Sequence, residues 1–168
     1  LFCGLVLFEF WNWPPFKVID LNKVPLVYCW LKEKPGDFTI AEYPLDVNGA
    51  NVMYMFYQTV HEKRIINGTT PGTFANKLAK NITKLSEPQT AGFLKWMGTK
   101  YVLVHWQDYL ETELVEDKEE LQRIPLNSEL KFIRNFPSQE CPQEDIMCVQ
   151  KSGPIDVYEV VAQPIEPK

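Results

Sequence analysis

The stretch FTIAEYPLDVNGANVMYMFYQTVHEKRIING, Phe38 to Gly68, decides the fold class of this chain. Its first residues, Phe38 to Glu42, alternate with Phe38 and Ile40 on one side, the period of a strand. Pro44 turns the chain and Asp46 follows. From Asn51 to His61 the apolar residues Val52, Met55, Phe56 and Val60 recur at helical spacing, with Tyr54, Tyr57, Gln58 and His61 on neighbouring faces. Arg64 to Ile66 reads as a short strand, and Asn67-Gly68 marks a turn. Strand, helix and strand in succession make a βαβ unit. Polar residues gather in it: Glu42, Asp46, Tyr54, Gln58, His61, Lys63 and Asn67.

Outward from this unit the same alternation holds. Before it, Phe16 to Asp20 reads as a strand or extended lead-in. Asn22 offers a helix cap with Pro25 in the first turn, and Val24, Val27, Tyr28 and Leu31 form an apolar stripe. Lys34-Pro35-Gly36-Asp37 ends that helix. After the unit, Thr73 to about Leu85 predicts a helix with Phe74, Leu78, Ile82 and Leu85 along one stripe. Pro88 opens another, stopped at Gly98. Tyr101 to His105 is apolar throughout, which predicts a central strand buried on both faces. Glu111 to Leu121 reads as a short helix with Asp117 and Glu120 as a capping box, or as a loop with a solvated acidic face. Leu130 to Phe136 and Ile155 to Val161 predict an antiparallel hairpin. The expected fold is a single α/β domain, a mixed sheet with helices packed on it, over residues 14–168.

Composition narrows the function classes. The chain has 168 residues, 45% of them hydrophobic and 13% aromatic, enough to bury a substantial core. A net charge of -5 without a basic stripe argues against nucleic acid as a partner. Leu1 to Phe8 is an unbroken apolar run, followed by Trp11 and Trp13. Two readings fit residues 1–13: a buried element of the domain, or the end of a membrane helix with its tryptophans at the interface. Cys3 and Cys29 lie in apolar and helical surroundings, where a free buried thiol is usual. Cys141 and Cys148 flank a polar loop, and a disulfide between them would suit an extracytoplasmic compartment.

Several motifs taken together resemble one known family. They are Val24-Pro25-Leu26-Val27-Tyr28-Cys29-Trp30-Leu31, Pro35-Gly36-Asp37-Phe38, Glu42-Tyr43-Pro44-Leu45 and Tyr54 to His61, then Ile66-Asn67-Gly68 and Gly98 to His105. In this order they resemble the soluble C-terminal region of bacterial multi-spanning membrane proteins of the GT-C glycosyltransferase-like type. The resemblance spans roughly residues 10 to 105 and touches the final hairpin only loosely. It implies an extracytoplasmic α/β domain, on the periplasmic or cell-surface side, that begins straight after the last membrane helix. The membrane-embedded part of the same polypeptide would be its partner, with a glycan or lipid-linked sugar as a further one. Catalytic carboxylates of that family lie in the membrane part, so no catalytic residue carries over.

Read for chemistry, Glu42, Asp46, Tyr54, Gln58, His61 and Asn67 are the candidate ligand-binding residues, because Glu42 and Asp46 sit where a parallel strand ends. A small hydrolase built on Glu42, Asp46 and His61 is the enzymatic alternative, and it requires those side chains to converge. A domain for structure or protein interaction, with no ligand, is the other. A helix-terminal His more often serves the helix dipole. A metal pair of His61 with His105 lacks a tight spacing, so no metal or cofactor is expected. Tyr54, Tyr57, Trp96 and Trp106 suggest a sugar-stacking platform, though core packing is the commoner fate of such rings. Asn67-Gly68-Thr69 and Asn81-Ile82-Thr83 match the N-glycosylation pattern.

Overall fold

A computed structural model describes residues 24–45, 50–67, 80–111, 115–138 and 153–166. The elements are α1 (Leu26–Glu33), β1 (Thr39–Tyr43), α2 (Ala50–His61), β2 (Arg64–Ile65), α3 (Pro88–Trp96) and β3 (Thr99–His105). They continue with α4 (Trp106–Glu111), α5 (Val115–Arg123), β4 (Leu130–Phe136) and β5 (Ile155–Val160). The strands form one five-stranded mixed sheet in the order β2-β1-β3-β5-β4. β1 pairs in parallel with β2 and β3, while β5 runs antiparallel to β3 and β4. The chain is thus the expected α/β domain with a C-terminal antiparallel hairpin. β3 is its middle strand, as the apolar run Tyr101 to His105 predicts.

Strand alternation divides the core in two. Ala41, Tyr43, Val102, Val104, Tyr158 and Val160 point to one face and pack with Leu94 of α3, Leu121 of α5, Ile82 and Leu85. Ile40, Tyr101, Leu103, Ile155 and Val157 point to the other, against Val27, Tyr28 and Leu31 of α1 and Tyr57 of α2. Gly98 follows α3 at φ 77, the left-handed conformation that closes a helix without a Cβ penalty.

Some local expectations need correction. Pro25 takes the cap position of α1, in extended conformation, with no side-chain cap; Asn22 lies outside the described residues. Of the helix expected from Thr73 to Leu85, residues 73–79 lie outside the described residues; its end differs, with a 3-10 turn over Lys80–Ile82 and Leu85 in a turn. There the Tyr43 hydroxyl donates to the Ile82 carbonyl (2.6 Å) and Asn127 Nδ2 to that of Leu85 (2.9 Å). Side chains thereby satisfy carbonyls that the last turn of a helix ending at Leu85 would have left without partners. The acidic stretch is helical, yet Asp117 lies inside α5 and Glu120 makes no capping box. Its carboxylate instead accepts from the Ser86 amide (2.7 Å) and hydroxyl (2.6 Å) and is buried. Cys29 is free but exposed, because Tyr28 and Leu31 take the inward face of α1. Residues 1–13, the Phe16 to Asp20 lead-in, Cys3, Cys141 and Cys148 lie outside the described residues.

Candidate functional site

The polar residues of the βαβ unit build a buried cluster at the C-terminal end of β1 and β3. Glu42, fully buried, lies on the α1–α2 face of β1. The Tyr28 hydroxyl of α1 donates to its Oε2 at 2.7 Å, and His105 Nε2, at the end of β3, lies 2.9 Å from the same oxygen. A carboxylate removed from water needs such donors. Glu42 Oε1, however, has no hydrogen-bond partner.

Aromatic rings wall the cluster. Tyr28 stacks on Tyr57 at 4.2 Å and lies 5.7 Å from the His61 ring, while Tyr54 stacks on His105 at 4.5 Å. The Tyr54 hydroxyl donates to Asp108 Oδ2 at 2.6 Å. Burial pushes the Tyr28 and Tyr54 hydroxyls far up from their ordinary range, with Glu42 and Asp108 respectively adding to it. Both therefore act as donors. This packing also corrects the expected inward stripe of α2. Tyr54, Tyr57 and His61 are its buried residues, whereas Val52 is 57% exposed. Their rings find stacking partners and their polar tips find acceptors, which an aliphatic stripe could not exploit.

His61 is 1% exposed. The Lys63 amide donates to its Nδ1 at 3.0 Å, so the neutral ring carries its proton on Nε2. That Nε2 has no acceptor. Burial lowers the His61 pKa from its ordinary value; Glu42 pulls it upward and Lys63 downward. Two unpartnered atoms thus belong to one cluster, a donor on His61 and an acceptor on Glu42.

The remaining candidates have architectural positions. Asn67 Oδ1 accepts from the Glu42 amide (2.9 Å), and its Nδ2 donates to the Glu42 carbonyl (2.7 Å) and to Asn51 Oδ1 (3.1 Å). The side-chain amide replaces a strand residue beside Glu42, and Asn67 is 4% exposed, closed to glycosylation in the fold. Gln58 Nε2 donates to the Lys63 carbonyl at 3.1 Å. Of the triad, Glu42 and His61 belong to this one cluster, and Asp46 lies outside the described residues. The expected aromatic platform does not form: Tyr54 and Tyr57 wall the buried cluster, Trp106 donates to Asp156 (2.8 Å), and Trp96 stands exposed on α3. Among the described residues no group of three His, Cys, Asp or Glu side chains is placed to hold a metal ion.

Sequence reasoning found Glu42, His61 and Asn67 but missed Tyr28, His105 and Asp108 as their partners. The alternation of β1 and β3 puts Glu42 and His105 on one face, yet only the pairing register, with Glu42 opposite Leu103, brings the His105 ring two residues further along β3 within reach of it. Comparison with known protein families, curated proteins and solved structures returned no match.

Proposed function

We propose that this chain is a non-catalytic, extracytoplasmic domain of a membrane-embedded glycosyltransferase-like protein, which braces the membrane part or helps it hold a glycan or lipid-linked sugar. The observation that carries this reading is the burial of Glu42, His61 and Asn67. The described polar residues of the βαβ unit bond to neighbouring side chains and the backbone, and among them no exposed acid–base pair faces a substrate. Their role is to fix the corner where β1, α2 and β2 meet. The apolar run Leu1 to Phe8 supports a membrane setting. α1 leads through a short turn into the start of β1, so its own start lies toward the C-terminal end of the parallel strands. No helix of the described residues is long and apolar enough to cross a membrane.

The test is flotation with lipid vesicles of the whole chain and of a form lacking residues 1–13, together with titration against sugars and lipid-linked sugars. Vesicle binding by the whole chain alone, with both forms folded, supports the membrane setting. Loss of the fold on truncation makes those residues core and removes that support. Absence of any sugar binding leaves bracing as the role.

A reading as a protein-interaction domain rests on β4. It is an edge strand whose residues Lys131 to Asn135 are all exposed, including Phe132 and Ile133. An exposed edge can accept a further strand.

A further inference from the structure

We propose that His61 is a proton-operated latch: a proton bound at its Nδ1 releases the Lys63 amide and opens the corner between α2 and β2. The geometry of that corner carries the inference. Glu62 holds φ 58, a left-handed conformation disfavoured for a residue with a side chain. Three hydrogen bonds keep it there. The Glu62 amide donates to the Gln58 carbonyl (2.9 Å), Gln58 Nε2 to the Lys63 carbonyl (3.1 Å), and the Lys63 amide to His61 Nδ1 (3.0 Å). Lys63 also ties the corner to the turn after α1, its Nζ donating to the carbonyls of Lys34 (2.8 Å) and Gly36 (3.2 Å). Beyond it, β2 pairs with β1 through only Thr39–Arg64 and Ile40–Ile65.

An imidazole accepts a hydrogen bond through its one unprotonated nitrogen. A proton from solvent occupies the Nδ1 lone pair, so the N–H···N bond from Lys63 is lost and nothing else is consumed. The resulting imidazolium has a counter-charge at hand. Glu42 of β1 belongs to the same cluster, with Oε1 and His61 Nε2 both unpartnered. The other groups of the cluster are the hydroxyls of Tyr28 on α1 and Tyr54 on α2, both donors, and the Tyr57 ring on α2. His105 on β3 is bonded to Glu42, Asp108 on α4 accepts from Tyr54, and the Lys63 ammonium is held on carbonyl oxygens. Among the described residues Glu42 is thus the carboxylate of the cluster able to receive the new charge.

The direction with pH follows. Burial favours neutral His61 in the closed corner, while in an opened corner the ring titrates near its ordinary value of about 6.5. The open form binds the proton more tightly, so the closed form is fully favoured above about pH 6.5 and loses ground as pH falls.

Amide hydrogen exchange of Lys63 in the whole chain, corrected for intrinsic chemistry, reads the latch directly. Its protection should be level from pH 8 to about 6.5 and fall by pH 5, by up to about thirtyfold. The Val102 amide in the middle of the sheet should keep its protection. His61→Asn places an amide oxygen near the position of Nδ1 and cannot titrate, so Lys63 protection should stay level throughout. Level protection in the native chain, or an equal loss in His61→Asn, overturns the proposal. A parallel loss at Val102 also overturns it, since the opening would then be global. If His61→Asn does not fold, the ring tautomer of native His61 decides: a proton on Nε2 at pH 8, with the Lys63 amide shifting as the ring titrates, upholds the latch. A proton on Nδ1 ends it.

Discussion

The two faces of the sheet bury carboxylates in different ways. On the face covered by α3 and α5, Glu120 has a donor on each oxygen, both from Ser86. Asp156 is bonded likewise, accepting from Asn135 Nδ2 on Oδ1 (2.7 Å) and from Trp106 Nε1 on Oδ2 (2.8 Å). On the face covered by α1 and α2, Glu42 gathers Tyr28 and His105 on Oε2 and leaves Oε1 unpartnered. Glu120 and Asp156 are closed structural sites, completed by neutral donors. Glu42 is the deepest of the three and the one with hydrogen-bonding capacity in reserve, next to a titratable ring. A carboxylate kept for shape alone would be completed as the other two are.

Removing a partner from each site should separate them most widely. In His105→Ala the Glu42 carboxylate keeps only the Tyr28 donor; the loss of a hydrogen bond to a charged group, about 1.5–3 kcal/mol, adds to the loss of the ring stacked on Tyr54, about 0.5–1.5 kcal/mol. Glu120→Gln retains an acceptor oxygen for one Ser86 donor and should cost about 1 kcal/mol. Urea midpoints of the two variants measure the gap. Equal losses would mean that the two faces carry their buried charge alike.

Tyr28→Phe comes next. It deletes one hydroxyl and keeps the stack on Tyr57, so the loss is one hydrogen bond to a charged group, about 1.5–3 kcal/mol. A thermal melt against the native chain tests it. A loss as large as that of His105→Ala would place the stabilising donor on α1 and not on β3.

How far the sequence reveals this difference depends on what kind of interaction makes each part. The elements of the α1–α2 face were legible, because Val27, Tyr28 and Leu31 keep helical spacing and Tyr101 to His105 has the unbroken apolar pattern of a middle strand. So was the relevance of Glu42 and His61, polar groups set among aromatics. The inward face of α2 was misread. Apolarity selects Val52, Met55, Phe56 and Val60, of which Phe56 and Val60 pack partly against the core, whereas ring stacking and hydroxyl pairing select the fully inward Tyr54, Tyr57 and His61. Tyr28 and His105, 14 and 63 positions from Glu42, join it only through tertiary register. No local spacing encodes that.

The smallest effect concerns how the α3 face is closed. The C-terminal segment lies over α3, with the Ile165 amide donating to the Gly92 carbonyl at 3.0 Å. A Cβ at Gly92 would lie 2.5 Å from Ile165 Cδ1, 2.6 Å from Cγ1 and 3.1 Å from Cβ. Gly92→Ala alone therefore combines a helix-propensity gain of about 1 kcal/mol with a displacement of this segment. Ile165 is 43% exposed and can swing outward, so the net change should lie within about 0.5 kcal/mol of zero. In an Ile165→Ala background the two closest atoms are gone. There the same substitution should stabilise by up to about 1 kcal/mol, and the difference between backgrounds is the coupling that a double-mutant cycle reads. A coupling near zero would mean that the segment does not bear on α3 in solution, leaving that face without its C-terminal cover. The α1–α2 face would then be the better closed of the two, although it holds the incompletely bonded carboxylate.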